Sequence, residues 1–142
     1  MSEMKKWFLV AALLAAGSVQ AQRSPEEGKR LAQAAVLQLK QLEPLVLEGR
    51  GLAGAPSATY FRTFLNPLED SVRKWPVLGD KENSTWGDYL YCRDALLDLQ
   101  TIGMGQENST LSGDNLKRRI AGYKRVQGKC QAASRLSPEQ VQ

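Results

Sequence analysis

The feature that most limits this fold is a pair of cysteines, Cys92 and Cys130, the only two in the chain. Each sits within a segment of helical period. The first segment is Thr85 to Ile102, TWGDYLYCRDALLDLQTI. Trp86, Tyr89, Leu90, Leu96 and Leu97 form a wide apolar face, and Tyr91, Leu99 and Ile102 broaden it beyond one stripe. A helix apolar on more than one side belongs in the middle of a bundle. The second segment runs from about Asp114 to Arg135. There Leu116, Ile120, Tyr123, Val126 and Cys130 recur at helical spacing, so Cys130 points inward. A bond between the cysteines makes these two helices neighbours. Closing so long a loop contributes about 4 kcal/mol in the chain-entropy view, less any strain. The alternative is two buried free thiols.

Pairing depends on the compartment, and the N-terminus speaks to that. Lys5 and Lys6 precede an apolar run, Trp7 to Gly17, which ends in Ser18-Val19-Gln20-Ala21. That order is a secretory signal peptide. The run is too short to span a bilayer, which needs about 20 residues. Val19 and Ala21 stand where the peptidase accepts small side chains, placing the cut before Gln22. A retained N-terminal anchor is the competing reading. No cysteine follows the apolar run, which argues against a lipoprotein. Cleavage leaves 121 of the 142 residues and lowers the net charge from +4 to +3. That length suits one domain with a real core. So mild a charge, on an exported chain, gives no reason to expect nucleic acid. No stable membrane insertion is expected after cleavage.

The first helix begins at Ser24-Pro25-Glu26-Glu27, a cap, a first-turn proline and a capping-box carboxylate. Leu31, Ala35, Leu39, Leu42 and Val46 share its buried face. Pro44 is expected to end it near residue 43, or to kink a helix that continues to Glu48. Gly49 to Ser57 is a glycine-rich connector without the Lys-Ser/Thr ending of a phosphate loop. Phe61, Phe64 or Leu65, Leu68, Val72 and Trp75 then share a face. Pro67 divides this region into helices over 58–65 and 67–74, or bends a single helix. Trp75-Pro76 stops it, and residues 77–84 form a polar loop. Gly103-Met104-Gly105 should end the central helix, with a loop over 106–112. Gly122 and Gly128, inside the last helix, read as tolerated or as points of close helix approach. Residues 136–142 read as a frayed tail. Asn83 and Asn108 open NST triplets, glycosylation acceptors only in a eukaryotic secretory path.

The sequence carries few of the residue patterns that catalysis needs. The chain has no histidine, which removes the commonest general base and metal ligand. It has no CxxC, GxSxG or HExxH, so neither cofactor nor metal is expected. Asp94 and Asp98 stand one turn apart on the central helix and could face a cleft, but they read more simply as its polar side.

Charge is the informative polar feature. The last helix carries Lys117, Arg118, Arg119, Lys124, Arg125, Lys129 and Arg135 against Asp114, a balance of +6, while the central helix stands at −2. Lys117 with Lys124, and Arg118 with Arg125, repeat at seven residues and lie on one outer stripe. This is either a solvated face partly paired with its neighbour or a docking surface for an acidic protein or anionic envelope polymer.

The expectation is therefore an all-α, single-domain bundle of four to five helices over 22–142, stapled by Cys92–Cys130. Its expected place is the periplasm and its expected work is protein binding without catalysis. The first reading is an inhibitor or immunity protein that neutralises an exported toxin or cell-wall hydrolase. The second is an envelope adaptor or chaperone-like protein. A carboxylate-based hydrolase ranks last. The partner-contact residues would be Lys117, Arg118, Lys124, Arg125 and Lys129, with the loops at 49–57 and 103–112 as further candidates. The oligomeric state is left open. Cleavage has a direct check: N-terminal sequencing of the exported protein should begin at Gln22, and retention of Met1 to Ala21 would establish the anchored form instead.

Overall fold

The computed structural model describes residues 24–48, 57–77 and 85–141. The expected leader (1–21), most of the glycine-rich connector and residues 78–84 lie outside the described residues. Those described form an all-α bundle, with no strand among them.

Helix α1 (Pro25–Leu47) starts as its sequence implies. The Ser24 Oγ accepts the Glu27 N–H at 3.4 Å, and Pro25 opens the first turn. Ala32, Ala35, Leu39, Leu42 and Val46 are buried along one face. Pro44 does not end this helix, which runs three residues further, to Leu47. The hydrogen bond proline cannot donate would have gone to the Lys40 carbonyl. Lys40 is exposed, so water can satisfy that group.

Helix α2 (57–72) is continuous through Pro67. It combines an α turn at Ser57–Tyr60, a π-helical stretch at Phe61–Leu65 and a further α stretch at Asn66–Val72. The Asn66 N–H reaches the Phe61 carbonyl, five residues back. That wide turn accommodates the proline that follows it. It also shifts the side-chain register, so Phe64 and Leu65 are both buried while Phe61 turns outward, 47% exposed. The Gln38 Nε2 donates to the Pro67 carbonyl at 3.0 Å, tying α2 to α1.

A 3-10 turn, Gly87–Tyr89, leads into helix α3 (Leu90–Glu107). Helix α3 packs against α1, α2 and α4 (Gly113–Ser134) and is the centre of the bundle. Cys92, Ala95, Leu96, Leu99 and Ile102 are fully or almost fully buried. Leu97, expected on the apolar face, is instead 39% exposed. Gly103 and Gly105 do not terminate α3 but lie buried within it. A β-carbon on Gly103 would stand 2.1 Å from the Phe64 ring. These glycines admit neighbours rather than break the helix. Gly28 on α1 does the same for Trp86, whose Cδ2 lies 2.9 Å from the position of a β-carbon there. By contrast, Gly122 and Gly128 of α4 have no close neighbour that needs their missing β-carbon.

Cys92 and Cys130 are bonded, with an S–S distance of 2.07 Å and Cα atoms 4.5 Å apart, joining α3 to α4 at full burial. Residues 136–141 are docked, which corrects the expected frayed tail. Ser137 and Gln140 make a capping box around a 3-10 turn, Pro138–Gln140. The Tyr89 hydroxyl donates to the Leu136 carbonyl at 2.7 Å, and the Asp88 N–H donates to the Val141 carbonyl at 3.0 Å. Val141 is fully buried.

The two kinds of glycine should separate in urea unfolding. Phe64 is fully buried and stacked 5.5 Å from Tyr60, so it cannot retreat from a new methyl group. Gly103→Ala should therefore lower stability by about 1–3 kcal/mol. Gly128→Ala should raise it by up to about 1 kcal/mol.

Candidate functional site

Helix α4 turns Tyr123, Cys130 and Ala133 into the core and leaves its opposite face exposed among the described residues. Lys117, Arg118, Lys124, Arg125 and Lys129 are all exposed, as are Arg119 and Arg135. Helical spacing arranges them in two rails. Lys117, Lys124 and Arg135 form one. Arg118, Arg125 and Lys129 form the other, beside α3. Between them lie Ala121, Gly128 and Ala132, small and exposed. The tops of the cations therefore stand above a low strip.

Neutralisation by the neighbouring helix is limited. Among the described residues, no ion pair within 4.0 Å joins an α4 cation to a carboxylate. Arg118 donates to the Asn115 side chain. The Lys129 ammonium sits 5.0 Å from the centre of the Tyr91 ring, a cation–π contact across the α3–α4 seam. Arg125 and Lys129, four residues apart, repel along the helix. The face is fixed in shape and carries surplus positive charge.

Where the second rail meets α3 there is a cleft of about 230 Å³, lined by Asp98, Arg118, Arg119, Gly122, Tyr123 and Arg125. Burial raises the Asp98 pKa above the ordinary aspartate value; Arg119 opposes that shift and Asp94 adds to it. Asp94 itself pairs with Arg93 at 3.4 Å and lines a different groove, with Trp75, Val77 and Leu97. The two aspartates are thus not brought into one cleft. Arg93 is buried against the Pro76 carbonyl, to which its Nη1 donates at 3.1 Å. That anchor escaped sequence reading, since a lone arginine on an apolar helix carries no mark of its depth.

Of the aromatic residues, Tyr60, Phe64, Trp75, Trp86, Tyr89 and Tyr123 are buried, Tyr91 is half-buried and Phe61 is exposed. The loop candidate at 103–112 shrinks to 108–112, and it is tied back: the Asn108 Oδ1 accepts both the N–H and hydroxyl of Thr110. The other, at 49–57, lies almost wholly outside the described residues. No group of three or more metal-ligating side chains occurs among the described residues, and no helix there is long and apolar enough to cross a membrane. No protein-family model, curated protein or solved structure matches the chain.

Three buried tyrosines set an alkaline limit. Burial, and then the charge of Glu107, pushes Tyr60 from 10.0 up to about 12. Burial chiefly raises Tyr89 as well, with Glu139 and Glu26 contributing. Tyr123 is raised by burial and by Glu43. A raised pKa means the folded state holds the proton more tightly than the unfolded state. Stability from these groups is therefore complete below about pH 10 and lost as pH climbs toward 12. The Tyr60 hydroxyl is also buried with no hydrogen-bond partner. Tyr60→Phe should thus raise stability at pH 7 by about 1 kcal/mol and flatten the loss between pH 10 and 12. Urea midpoints across that range would measure both effects.

Proposed function

We propose that this protein is a small exported binding protein that acts by docking the basic face of α4 onto an acidic surface of another protein. The observation that carries this reading is the outward row of cations, none ion-paired with a carboxylate within 4.0 Å among the described residues, on a helix whose other side is locked into the core by Cys130. A field of this kind steers encounter and sets specificity. The staple supports the same reading, because a helix backbone already held in place need not order on binding.

Within that class we favour an inhibitor or immunity protein, acting in the periplasm on an exported toxin or cell-wall hydrolase. Its motivations are the signal-peptide pattern at residues 1–21, the small size, the staple and the absence of histidine. The envelope adaptor or chaperone-like reading shares the same surface and differs only in its consequence for the partner. An apolar groove of about 310 Å³ lined by Leu31, Leu37 and Trp75 gives that alternative a second surface.

Capture from periplasmic extract, followed by mass spectrometry, tests the proposal. A one-to-one partner whose activity is blocked supports inhibition. A partner that stays fully active in the complex fits the adaptor. Reversing Lys124 and Arg125 to glutamate should weaken capture at least tenfold at low salt. Unchanged capture by that double variant would remove the α4 face from the mechanism.

A further inference from the structure

The cleft at the α3–α4 seam has features beyond a general basic surface. Three arginines, Arg118, Arg119 and Arg125, line a space of about 230 Å³. That is room for a side-chain tip, not for a length of chain. Arginine matches carboxylate geometry in two-point hydrogen bonds. On the opposite wall Asp98, half-buried, acts electrostatically on Arg119. Counting Asp98 as charged, the cleft lining has a balance of +2, enough to attract an anion. The fixed carboxylate penalises a doubly charged group such as phosphate more than a singly charged one.

Gly122 supplies an independent point. It lies inside α4, where glycine is less favourable than alanine, and it lines the cleft. No packed neighbour explains it: a β-carbon there would meet only the Arg125 Nη2, at 3.8 Å. A methyl group there would take up space beside the Arg125 guanidinium. Gly128, two turns away on the outer strip, has open space around it and no cleft.

We infer that this cleft receives a single aspartate or glutamate side chain of the acidic partner and anchors the docked α4 face. The inference rests on the docking reading above and narrows it to one contact. Arg118, Arg119 and Arg125 bind the carboxylate, Gly122 leaves room for it, and Lys117 and Lys124 on the far rail lie under the docked partner but contribute charge rather than the anchoring contact.

The test titrates the folded, oxidised protein with hexaglutamate peptide at low salt and follows backbone amide and arginine side-chain NMR signals. Shifts should centre on Asp98, Arg118, Arg119, Gly122 and Arg125. Gly122→Leu should weaken binding at least fivefold. Gly122→Ala, which favours the helix, should weaken it in the same direction without loss of fold. Lys117→Gln with Lys124→Gln should change it less than about threefold. Binding lost in the lysine variant but intact in both Gly122 variants would overturn the anchor and leave the basic face standing. Shifts with inorganic phosphate and none with hexaglutamate would overturn the carboxylate assignment. If neither probe shifts these signals, the cleft is not an anion seat, and capture of the natural partner decides the docking reading separately.

Discussion

Everything in this bundle depends on helix α3 being enclosed. A helix with neighbours on three sides can close-pack only if some contacts are made against very small residues. Here the entering ring of Phe64 lies over Gly103, and Trp86, just before α3, lies over Gly28 of α1. The same closeness brings the Cα atoms of Cys92 and Cys130 to 4.5 Å. The disulfide therefore sits where two backbones already meet, and it fixes α4 against the one helix that cannot move without disturbing the rest. The docked tail adds to this, since Tyr89 and Asp88 hold residues 136 and 141 at the start of the same helix.

Fixing α4 from one side leaves the other side as a rigid platform. Its core-facing positions satisfy packing; its outer contacts, Lys129 with Tyr91 and Arg118 with Asn115, do not account for seven cations against one carboxylate. A helix selected only for its own stability would alternate charges at four-residue steps. Instead like charges run along both rails, and small residues fill the strip between them. The seam with α3 concentrates three of those cations around one space. On the proposed reading, stability and binding are divided between the two faces of a single helix.

Much of this was legible in the chain. Helix number, the inward direction of Cys130 and the central place of residues 85–102 follow from periodicity, a property each segment carries locally. The staple follows from a count of cysteines and from the expected export of the chain. The misreadings share one cause. Pro44, Pro67, Gly103 and Gly105 are breakers by local rule, and each is absorbed by its surroundings: Pro44 one turn after the exposed Lys40, Pro67 by a π turn, Gly103 by the Phe64 ring and Gly105 by the Leu111 side chain. The tail was misread because Val141 finds its pocket only when α1, α3 and α4 are assembled. The basic stripe was visible as residues 117, 118, 124, 125 and 129. The cleft was not, because Asp98 comes from another helix and Gly122 looks like tolerance until the space beside it is seen.

The central claim is that partner contact runs through the outer face of α4, and lysine reactivity reads it residue by residue. In the complex with the captured partner, acetylation of Lys117, Lys124 and Lys129 should fall several-fold relative to the free protein. Lys29, Lys40 and Lys74, which lie on α1 and just past the end of α2, should react as before. Protection of those three with the α4 lysines unchanged would contradict docking through α4 and move the contact surface to the other side of the bundle.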